Sequence, residues 1–341
     1  MTKKILITGI TGQVGSQMAE FLLKNTNNDI YGLMRWQEPL DNLYGLTNRI
    51  NSKDKIFLKY GDLNDLSSLI KIIEDVKPDF IFHLAAQSFP KTSFEIPIET
   101  LETNIMGTLK LLEAIKLQGK LFQPVIHICS SSEVYGKSKS QSVFDEKSPL
   151  HGASPYSISK IGTDFLGQFY AEAYDFKIFI TRMGTHSGRR RSDVFFESTV
   201  AKQIALIEAG LQKPIIYVGN LNSVRTYQDA RDAVRAYWML SEKMSEGNLK
   251  NGEIFNIAGE EIFKLKQIID ILISFSNVKN IEVKTDKERL RPIDADYQMF
   301  ECSKLMQTID WKPEISVEEM LLDLLNHWRT EINDSRIPLN R

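Results

Sequence analysis

The chain has 341 residues and a formal net charge of −2, so its charge gives no electrostatic reason to expect nucleic acid or an acidic membrane as a partner. Its 42% hydrophobic and 25% charged residues are typical of a globular protein with one large or two modest domains. No apolar run approaches the roughly 18 residues of a membrane span, and the two cysteines and five histidines lack metal-binding spacing. We therefore expect a cytoplasmic, metal-free protein.

Short apolar runs alternate with longer amphipathic runs along the first 130 residues. The predicted strands are KKILIT, DIYGLM, KIFLKYGDL, PDFIFHLA and PVIHICSSS, and the predicted helices are residues 15–24, LSSLIKIIED and ETNIMGTLKLLEAIKLQG. A further helix, SPYSISKIGTDFLGQFYAEAY, leads into the strand KIFITRM. Strands separated by helices imply right-handed crossovers, so we expect an α/β fold with a doubly wound parallel sheet.

The pattern becomes less regular after about residue 184, where polar stretches interrupt the helices. We therefore predict three parts: a nucleotide-binding domain at residues 1–183, a smaller α/β substrate-binding lobe at 184–332, and a tail at 333–341. Some of the chain in the second part is expected to return to the sheet.

A glycine-rich turn follows the first predicted strand. In TGITGQVGS, the residues Gly9, Gly12 and Gly15 stand between a strand and a helix. Only glycine lets such a turn bring a pyrophosphate against backbone N–H groups at a helix N-terminus. The spacing alone is also found in simple turns, but its place at the start of a βαβ series favours a dinucleotide cofactor.

The end of the second predicted strand indicates which cofactor is bound. Sites for NAD usually have Asp or Glu there, to accept a hydrogen bond from the ribose 2′-hydroxyl. This chain has Arg35 instead, in GLMRW. A guanidinium cannot accept that hydrogen bond but can bind a 2′-phosphate. NADP is therefore favoured, unless Arg35 is only a solvated surface residue.

Two later motifs carry the chemistry. CSSSEVYG follows a strand, at the sheet edge where doubly wound folds bind ligands, and YSISK places Tyr156 and Lys160 on one helical face. A lysine ammonium beside a phenol lowers the pKa of the phenol, so Tyr156 can take a hydroxyl proton while hydride leaves the same carbon. The alternative is that Tyr156 and Lys160 are only an exposed residue pair on a helix surface. The preceding SSSE segment and the glycine-rich first turn make this alternative less favoured.

Glu133 distinguishes possible reactions. Oxidation of a hydroxyl-bearing carbon needs only Tyr156, Lys160, a hydroxyl such as that of Ser131, and a nicotinamide. Elimination of water also needs a base for a carbon-bound proton and an acid for the leaving hydroxyl. Glu133 and Ser131 can share these tasks, with Ser132 as a second candidate; alternatively, Glu133 is a loop carboxylate or a ligand of a substrate hydroxyl.

Nearly the whole chain resembles the extended short-chain dehydrogenase/reductases, which have a Rossmann domain and are here most like the GDP-mannose 4,6-dehydratases and the neighbouring GDP-4-keto-6-deoxymannose reductases. GITGQVGS, YGDLND, HLAAQSFPKTSFE and SSSEVYG carry the resemblance. It implies catalytic roles for Ser131, Glu133, Tyr156 and Lys160. It also implies a cofactor site at Gly9, Thr11, Gly12, Gln13, Val14, Gly15, Arg35, Asp62, Leu63, Leu84, Ala85, Ala86, Tyr156 and Lys160.

The same resemblance implies a site for a GDP-sugar substrate. Its expected residues are Gln87, Lys91, Ser131, Glu133, Thr185, Arg225, Arg291 and Asp294, where the two arginines bind the pyrophosphate and Asp294 lies near the nucleoside ribose. Asp62 and Leu63 are expected beside the adenine of the cofactor.

Two segments depart from the dehydratase pattern. Val14 stands where that family usually has Asp, and Gly184, Thr185 and His186 occupy its Asn, His and Glu positions. Arg189 and Arg190 match an arginine pair that reaches a neighbouring subunit's cofactor in that family. A homodimer or homotetramer is therefore implied, and a solvated basic loop is the alternative.

These observations favour an NADP-dependent lyase that converts a GDP-hexose to its 4-keto-6-deoxy derivative. The second hypothesis is a reductase of a 4-keto sugar that uses the same Tyr156 and Lys160 but consumes NADPH. A 4-epimerase is the third. A cofactor-sensing regulatory protein without enzymatic activity is the fourth, and it is disfavoured because both catalytic residues are present.

Overall fold

The computed structural model describes residues 2–137, 143–290 and 297–334. Its strands are β1 (Lys4–Thr8), β2 (Asp29–Met34), β3 (Ile56–Tyr60), β4 (Phe80–His83), β5 (Val125–Cys129), β6 (Ile178–Met183), β7 (Thr185–Ser187), β8 (Ile215–Val218), β9 (Val224–Asp229), β10 (Glu253–Ile257), β11 (Ile262–Lys264), β12 (Glu282–Thr285) and β13 (Tyr297–Gln298). Its α-helices are α1 (Gln13–Asn25), α2 (Thr47–Ser52), α3 (Leu66–Val76), α4 (Pro90–Glu95), α5 (Pro97–Leu101), α6 (Gly107–Lys116), α7 (Pro155–Tyr174), α8 (Phe196–Glu208), α9 (Ala230–Ser245), α10 (Leu265–Ser274), α11 (Ser303–Ile309) and α12 (Val317–Asn333).

Seven parallel strands form the main sheet, in the order β3-β2-β1-β4-β5-β6-β10. Successive strand residues point to opposite faces, so Ile5 and Ile7 join one apolar core and Leu6 the other. Helices α1 and α9 cover the first face, and α3, α6 and α7 cover the second. The predicted α/β fold with a doubly wound parallel sheet is confirmed.

The strand order reverses between β1 and β4, because β2 and β3 extend the sheet on one side and β4 to β6 on the other. The loops that leave the carboxyl ends of β1 and β4 therefore diverge. In open α/β sheets this divergence makes the crevice in which ligands bind.

A second core lies in the C-terminal part of the chain. Helices α8, α10 and α12 enclose it together with β8 and β9, and Trp328, Leu324 and Ile268 are among its buried side chains. Strand β9 pairs with β7, β11 and β13, and β8 pairs with β12. The chain does return to the main sheet, since β10 pairs with β6 and α9 packs on α1.

Two helix boundaries differ from the sequence prediction. Helix α1 begins at Gln13 rather than at residue 15, because Gly12 is its N-cap. The long helix predicted after residue 101 contains a π-helical turn at Glu102–Met106 before α6 begins.

Among the described residues no helix is long and apolar enough to cross a membrane. No group of three or more His, Cys, Asp or Glu side chains in these parts of the chain is arranged to hold a metal ion. Residues 335–341 of the predicted tail lie outside the described residues.

Candidate active site

A cleft of about 1170 Å³ opens at the carboxyl ends of β1, β4 and β5 and extends to the smaller lobe. Every predicted cofactor, substrate and catalytic residue within the described parts of the chain lines this cleft. These residues are Gly9, Thr11, Gly12, Gln13, Val14, Gly15, Arg35, Asp62, Leu63, Leu84, Ala85, Ala86, Gln87, Lys91, Ser131, Glu133, Tyr156, Lys160, Thr185 and Arg225. The predicted Arg291 and Asp294 lie outside the described residues.

The glycine-rich turn has no room for side chains at two of its positions. Gly9 has φ +71°, and a Cβ added there would lie 2.8 Å from Cα of Ala85. A Cβ on Gly15 would lie 2.1 Å from the carbonyl oxygen of Gly9. The N-cap Gly12 offers no side chain to the first turn of α1, which also contains no acidic residue. An uncapped helix N-terminus with close backbone access fits a pyrophosphate.

Arg35, the residue after β2, already has an ion-pair partner in this chain, Glu38. The Arg35 side chain is 62% exposed, and its Nη2 lies 3.4 Å from Oε1 of Glu38. The other carboxylate oxygen of Glu38 accepts a hydrogen bond of 3.2 Å from the Arg35 backbone N–H. Glu38 also lines the cleft, and sequence reasoning missed it because it lies outside the glycine-rich motif.

The catalytic candidates converge at the carboxyl end of β5. The Oγ of Ser131 caps the 3-10 turn Ser132–Tyr135 by accepting a 3.2 Å hydrogen bond from the Glu133 N–H, and the Ser131 side chain lowers the pKa of the nearby Tyr156 phenol. Tyr156 lies in the first turn of α7, which a capping box between Ser154 and Ser157 stabilises. The catalytic candidates of the two motifs therefore line the same cleft.

Lys160 is fixed by the backbone of β5. Its Nζ donates a 2.7 Å hydrogen bond to the carbonyl oxygen of Cys129, and the residue is only 6% exposed. Burial lowers the pKa of Lys160.

Burial also raises the pKa of Tyr156, whereas the Ser131 hydrogen bond and the charge of Arg191 act in the opposite direction. The sequence predicted that Lys160 would lower the pKa of this phenol. In this structure the charge of Arg191 also lowers the pKa of the phenol, while Lys160 donates to the Cys129 carbonyl, so the effect of Lys160 on the phenol stays a prediction.

Glu133 contacts a residue from far along the chain. Nε2 of Gln298 on β13 lies 3.4 Å from Oε1 of Glu133, and Gln298 is 2% exposed. Oγ of the neighbouring Ser130, which also lines the cleft, is buried and has no hydrogen-bond partner among the described residues. Gln298 lies outside every motif, so no sequence signal pointed to it.

The substrate-side candidates come from four elements. Asn104 holds Gln87 by accepting from its backbone N–H and donating to its carbonyl oxygen, at 2.8 and 2.9 Å. Nζ of Lys91 donates a 2.9 Å hydrogen bond to the carbonyl oxygen of Glu288. Thr185 lies on β7 and Arg225 on β9, so the smaller lobe supplies one side of the cleft.

Arg189 and Arg190 contact the chain's own α1. Both guanidinium groups form ion pairs with Glu20, the Arg189 pair at 2.6 Å. Arg190 also lies 3.3 Å from Oγ of Ser16. Their expected role at a neighbouring subunit stays a prediction.

A seven-stranded Rossmann sheet, a glycine-rich first turn, and a serine, tyrosine and lysine beside the same cleft define an extended short-chain dehydrogenase/reductase. The model for the GDP-mannose 4,6-dehydratase family matches residues 6–324 of the chain. The chain therefore belongs to the GDP-mannose 4,6-dehydratase family.

Individual relatives agree with this assignment. The chain is 31% identical to a GDP-mannose 4,6-dehydratase of Yersinia enterocolitica over 95% of this chain and 93% of that protein. It is 30% identical to the human GDP-mannose 4,6 dehydratase over 94% of this chain and 90% of that protein.

Solved structures share the fold. The structure of RMD from Pseudomonas aeruginosa complexed with NADPH is similar with a TM-score of 0.80 at 25% identity, over 97% of this chain and 100% of that chain. The Thermus thermophilus UDP-glucose 4-epimerase in complex with NAD has a TM-score of 0.81 at 23% identity, over 96% of this chain and 99% of that chain.

Proposed function

We propose that this chain is an NADP-dependent nucleotide-sugar 4,6-dehydratase that converts a GDP-hexose, GDP-mannose or a close relative of it, to the GDP-4-keto-6-deoxy sugar and water. The observation that carries the proposal is that Ser131, Glu133, Tyr156 and Lys160 line the same cleft as the glycine-rich turn. Membership of the dehydratase family supports it.

NADP, when bound, supplies the acceptor for the hydride from C4 of the sugar and the donor that returns it to C6. Tyr156 takes the proton of the C4 hydroxyl, and Ser131, which lines the same part of the cleft, orients that hydroxyl by a hydrogen bond of its own. Lys160 keeps a positive charge beside the phenol, and the Cys129 carbonyl fixes its position.

A ketone at C4 acidifies the hydrogen at C5. Glu133 takes that proton and passes it to the C6 hydroxyl, which leaves as water while Ser131 donates a hydrogen bond to it. When C6 regains hydride, C5 receives a proton from Tyr156, which removed one from the C4 hydroxyl. Gln298 holds the Glu133 carboxylate toward the cleft by donating to one of its oxygens. The sugar loses one water molecule and the cofactor ends in its starting oxidation state, so turnover needs no added reductant.

NADP rather than NAD is supported by Arg35 at the end of β2, where a guanidinium can bind a 2′-phosphate. The partly buried Glu38 carboxylate next to it offers the acceptor that an NAD ribose uses. The cofactor proposal is tested by running the assay below with each nucleotide. Turnover with NAD and none with NADP would contradict the proposal that the cofactor is NADP.

The test of the reaction is a mass measurement. The purified chain is incubated with GDP-mannose, GDP-N-acetylglucosamine or a GDP-heptose without reductant, and the proposal predicts loss of water from one of them. Glu133→Gln should lower the rate of elimination by about 10²- to 10⁴-fold, because the amide cannot take the C5 proton, while NADPH still binds. Glu172→Gln, an exposed carboxylate on the same α7 as Tyr156, is the matched control and should change nothing.

Elimination at the parent rate in the Glu133→Gln variant would remove Glu133 from the mechanism. The second candidate is a reductase of a 4-keto sugar, which the likeness to the RMD structure with NADPH favours. In a second incubation with a GDP-4-keto-6-deoxy sugar and added NADPH, a gain of two hydrogens coupled to NADPH oxidation would establish the reductase instead.

We also propose that the chain forms a homo-oligomer. Ile158, Phe165 and Phe169 are 51, 55 and 54% exposed and recur at helical spacing on α7. Ile98 on the adjoining α5 is 71% exposed. We call these four side chains the α5–α7 apolar face, and a second copy of this chain is the partner that we propose to cover it.

A further inference from the structure

A network of buried hydrogen bonds joins the carboxyl ends of β1 and β4 to helix α6. Thr8 ends β1, His83 ends β4, and Thr108 lies in the first turn of α6. Nδ1 of His83 lies 2.9 Å from Oγ1 of Thr8, and Nε2 of the same ring lies 2.9 Å from Oγ1 of Thr108. All three residues are at most 4% exposed, and none of them lines the cleft. The network therefore supports the site from behind its walls.

The Thr8 end of the network fixes the position of one proton. Oγ1 of Thr8 accepts hydrogen bonds of 3.1 Å from the backbone N–H groups of Leu84 and Ala85. A hydroxyl has two lone pairs and one proton, so the proton of Thr8 is donated to Nδ1 of His83. Nδ1 is therefore an acceptor, and the ring carries its proton on Nε2.

The Thr108 end requires the same tautomer. Oγ1 of Thr108 donates a 2.6 Å hydrogen bond to the carbonyl oxygen of Asn104, in the π-helical turn Glu102–Met106. Because its only proton is used there, Thr108 accepts from Nε2 of His83. Burial and the charge of Lys160 lower the pKa of His83 to about 3, so the ring is neutral at neutral pH. The three hydrogen bonds thus run in one direction, from β1 to the π-helical turn.

The Thr8 end supports the wall of the cofactor site. By accepting from two successive N–H groups, Thr8 holds the start of the loop after β4 beside the glycine-rich turn. The two segments are in close contact there, since a Cβ added to Gly9 would lie 2.8 Å from Cα of Ala85. Gly9 and Ala85 both line the cleft.

The Thr108 end leads to the catalytic helix. Nδ2 of Asn104 donates a 2.8 Å hydrogen bond to Oγ of Ser159, which in turn donates to the carbonyl oxygen of Tyr156 at 2.6 Å. Asn104 also holds both backbone groups of Gln87. One imidazole therefore links the wall of the cofactor site to the first turn of α7.

We propose that His83 is a positioning residue that holds the cofactor-binding turn at a fixed distance from Tyr156. The inference rests on the proposed use of a nicotinamide dinucleotide and of Tyr156, but not on which sugar reacts. Neutral imidazole suits this task because it carries one acceptor and one donor on a rigid ring. Hydride transfer depends on such a distance, since a displacement of about 1 Å can lower a rate by about 10²-fold.

The first test observes the ring proton in the parent chain. NMR with isotopically labelled histidine at neutral pH should show His83 as a neutral ring that is protonated on Nε2. Its signal is assigned from its loss in His83→Asn and from its shift in Thr108→Val. A charged His83, or one protonated on Nδ1, would overturn the proposal.

Two substitutions of the same residue cut the network at different ends. The amide oxygen of Asn can take the place of Nδ1, so His83→Asn keeps the contact with Thr8 and loses the one with Thr108. The amide nitrogen of Gln can take the place of Nε2, so His83→Gln does the reverse. In titrations with NADPH, His83→Gln should weaken binding by about 3- to 10-fold, the usual effect of one lost hydrogen bond, and His83→Asn should bind like the parent.

The kcat for the sugar that the parent turns over should show the opposite order. His83→Asn should lower kcat by about 10- to 100-fold, because it releases the catalytic helix from the network. Thr108→Val removes the same hydrogen bond from its other side and should lower kcat to a similar extent. The double variant should be no slower than either single variant, because all three lack one and the same contact.

His127→Gln is the matched control. His127 is a fully buried imidazole on the adjacent strand β5, but its Nε2 contacts Thr181 and not the network. This variant should keep the NADPH affinity and the kcat of the parent.

Two further results would overturn the proposal. The first is that His83→Asn and His83→Gln change NADPH affinity and kcat equally, or change neither, as expected of a residue that only fills the core. The second is an additive loss of kcat in the double variant. A parent that turns over no GDP-sugar would refute the proposed reaction alone, because the NMR measurement and the NADPH titrations still decide the role of His83.

Discussion

Tyr156 and Lys160 show how one residue pair is predicted from a motif while its electrostatics are not. Their spacing of four places both on one face of α7, and both line the cleft. The Lys160 ammonium, however, donates to the Cys129 carbonyl, and burial raises the pKa of the phenol. That carbonyl belongs to β5, so the local sequence around YSISK contains no information about it.

Glu133 is a second residue that a motif predicted without its hydrogen-bond partner, Gln298. The SSSE motif identified the carboxylate, but the amide that donates to it lies 165 positions later, on a two-residue strand. Strand β13 pairs with β9 at Arg225, and this pairing brings the amide to the cleft.

Three histidines with lowered pKa values, of which His83 and His127 are buried and His186 is half-buried, predict that the protein loses stability in weak acid. Burial lowers the pKa of His83 and of His186 to about 3 and that of His127 well below its ordinary value. An unfolded histidine titrates near 6.5, so below this pH the unfolded chain binds protons that the folded chain does not. Stability is therefore unaffected above about pH 7 and falls as the pH decreases, with up to about 1.4 kcal/mol per pH unit for each histidine.

Urea unfolding at several pH values from 7.5 to 5 measures this slope. Carboxylates titrate mainly below about 4.5, so histidines dominate that window. His127→Gln should reduce the slope by the share of one histidine, because the neutral amide takes no proton. A stability that stays flat between pH 7 and 5 would show that these rings are not buried in the neutral form.

A buried ion pair joins the catalytic helix to the main sheet. Nε and Nη2 of Arg182 on β6 donate to the two carboxylate oxygens of Asp164 on α7, at 2.8 and 3.1 Å, and the two side chains are 3 and 0% exposed. Nη1 of Arg182 also donates to the Tyr135 hydroxyl and to the Glu146 carbonyl. The pair therefore orients α7, which carries Tyr156 and Lys160, against the strand.

Asp164→Asn should lower the free energy of unfolding by about 3–5 kcal/mol, because it leaves the Arg182 charge buried without its partner. Urea denaturation measures the change, and Glu172→Gln on the exposed side of α7 is the control that should leave it unaltered. Replacing both members of the pair by leucine should recover part of the loss. An Asp164→Asn variant as stable as the parent would show that the ion pair contributes little to the free energy of unfolding.

The π-helical turn at Glu102–Met106 is an element that periodicity did not predict. The turn carries Asn104, whose side chain bonds the backbone of Gln87 and donates to Oγ of Ser159 at 2.8 Å. An extra residue in the turn changes which side chains face inward, and such turns often occur at functional sites. The apolar pattern of residues 102–119 is compatible with an unbroken helix, so contacts with other elements decide the outcome.

The α5–α7 apolar face gives the prediction for the whole molecule. We expect the parent to sediment as a dimer or a larger assembly, because four large apolar side chains on adjoining helices are exposed in a single copy. Phe165→Glu with Phe169→Glu should shift the chain toward the monomer by placing charges on that face. Leu121→Glu, at a fully exposed leucine that is not part of this face, is the matched control. A monomeric parent at micromolar concentration would contradict the proposal.

At the same scale, the parallel sheet, its cleft and many of the residues that line the cleft could be predicted from sequence, whereas the contacts between distant side chains within the cleft could not. Glycine spacing, strand-to-helix alternation and the two catalytic motifs are local patterns, because a turn, a cap or a helical face depends on residues within a few positions of each other. They predicted the strand–turn–helix unit at Gly9–Gly15, and together with the family resemblance they named Ser131 and Tyr156 as catalytic candidates.

Only the tertiary structure decided which distant side chains complete the site. Arg191 beside Gln13, Gln298 beside Glu133 and the Cys129 carbonyl beside Lys160 each join residues that are 31 to 178 positions apart. Such pairs depend on how the smaller lobe closes over the sheet and on which strands pair there. The packing of the lobe and the pairing of its strands follow from the burial of two separate apolar cores, to which the whole chain contributes. No short segment of the sequence therefore predicts them.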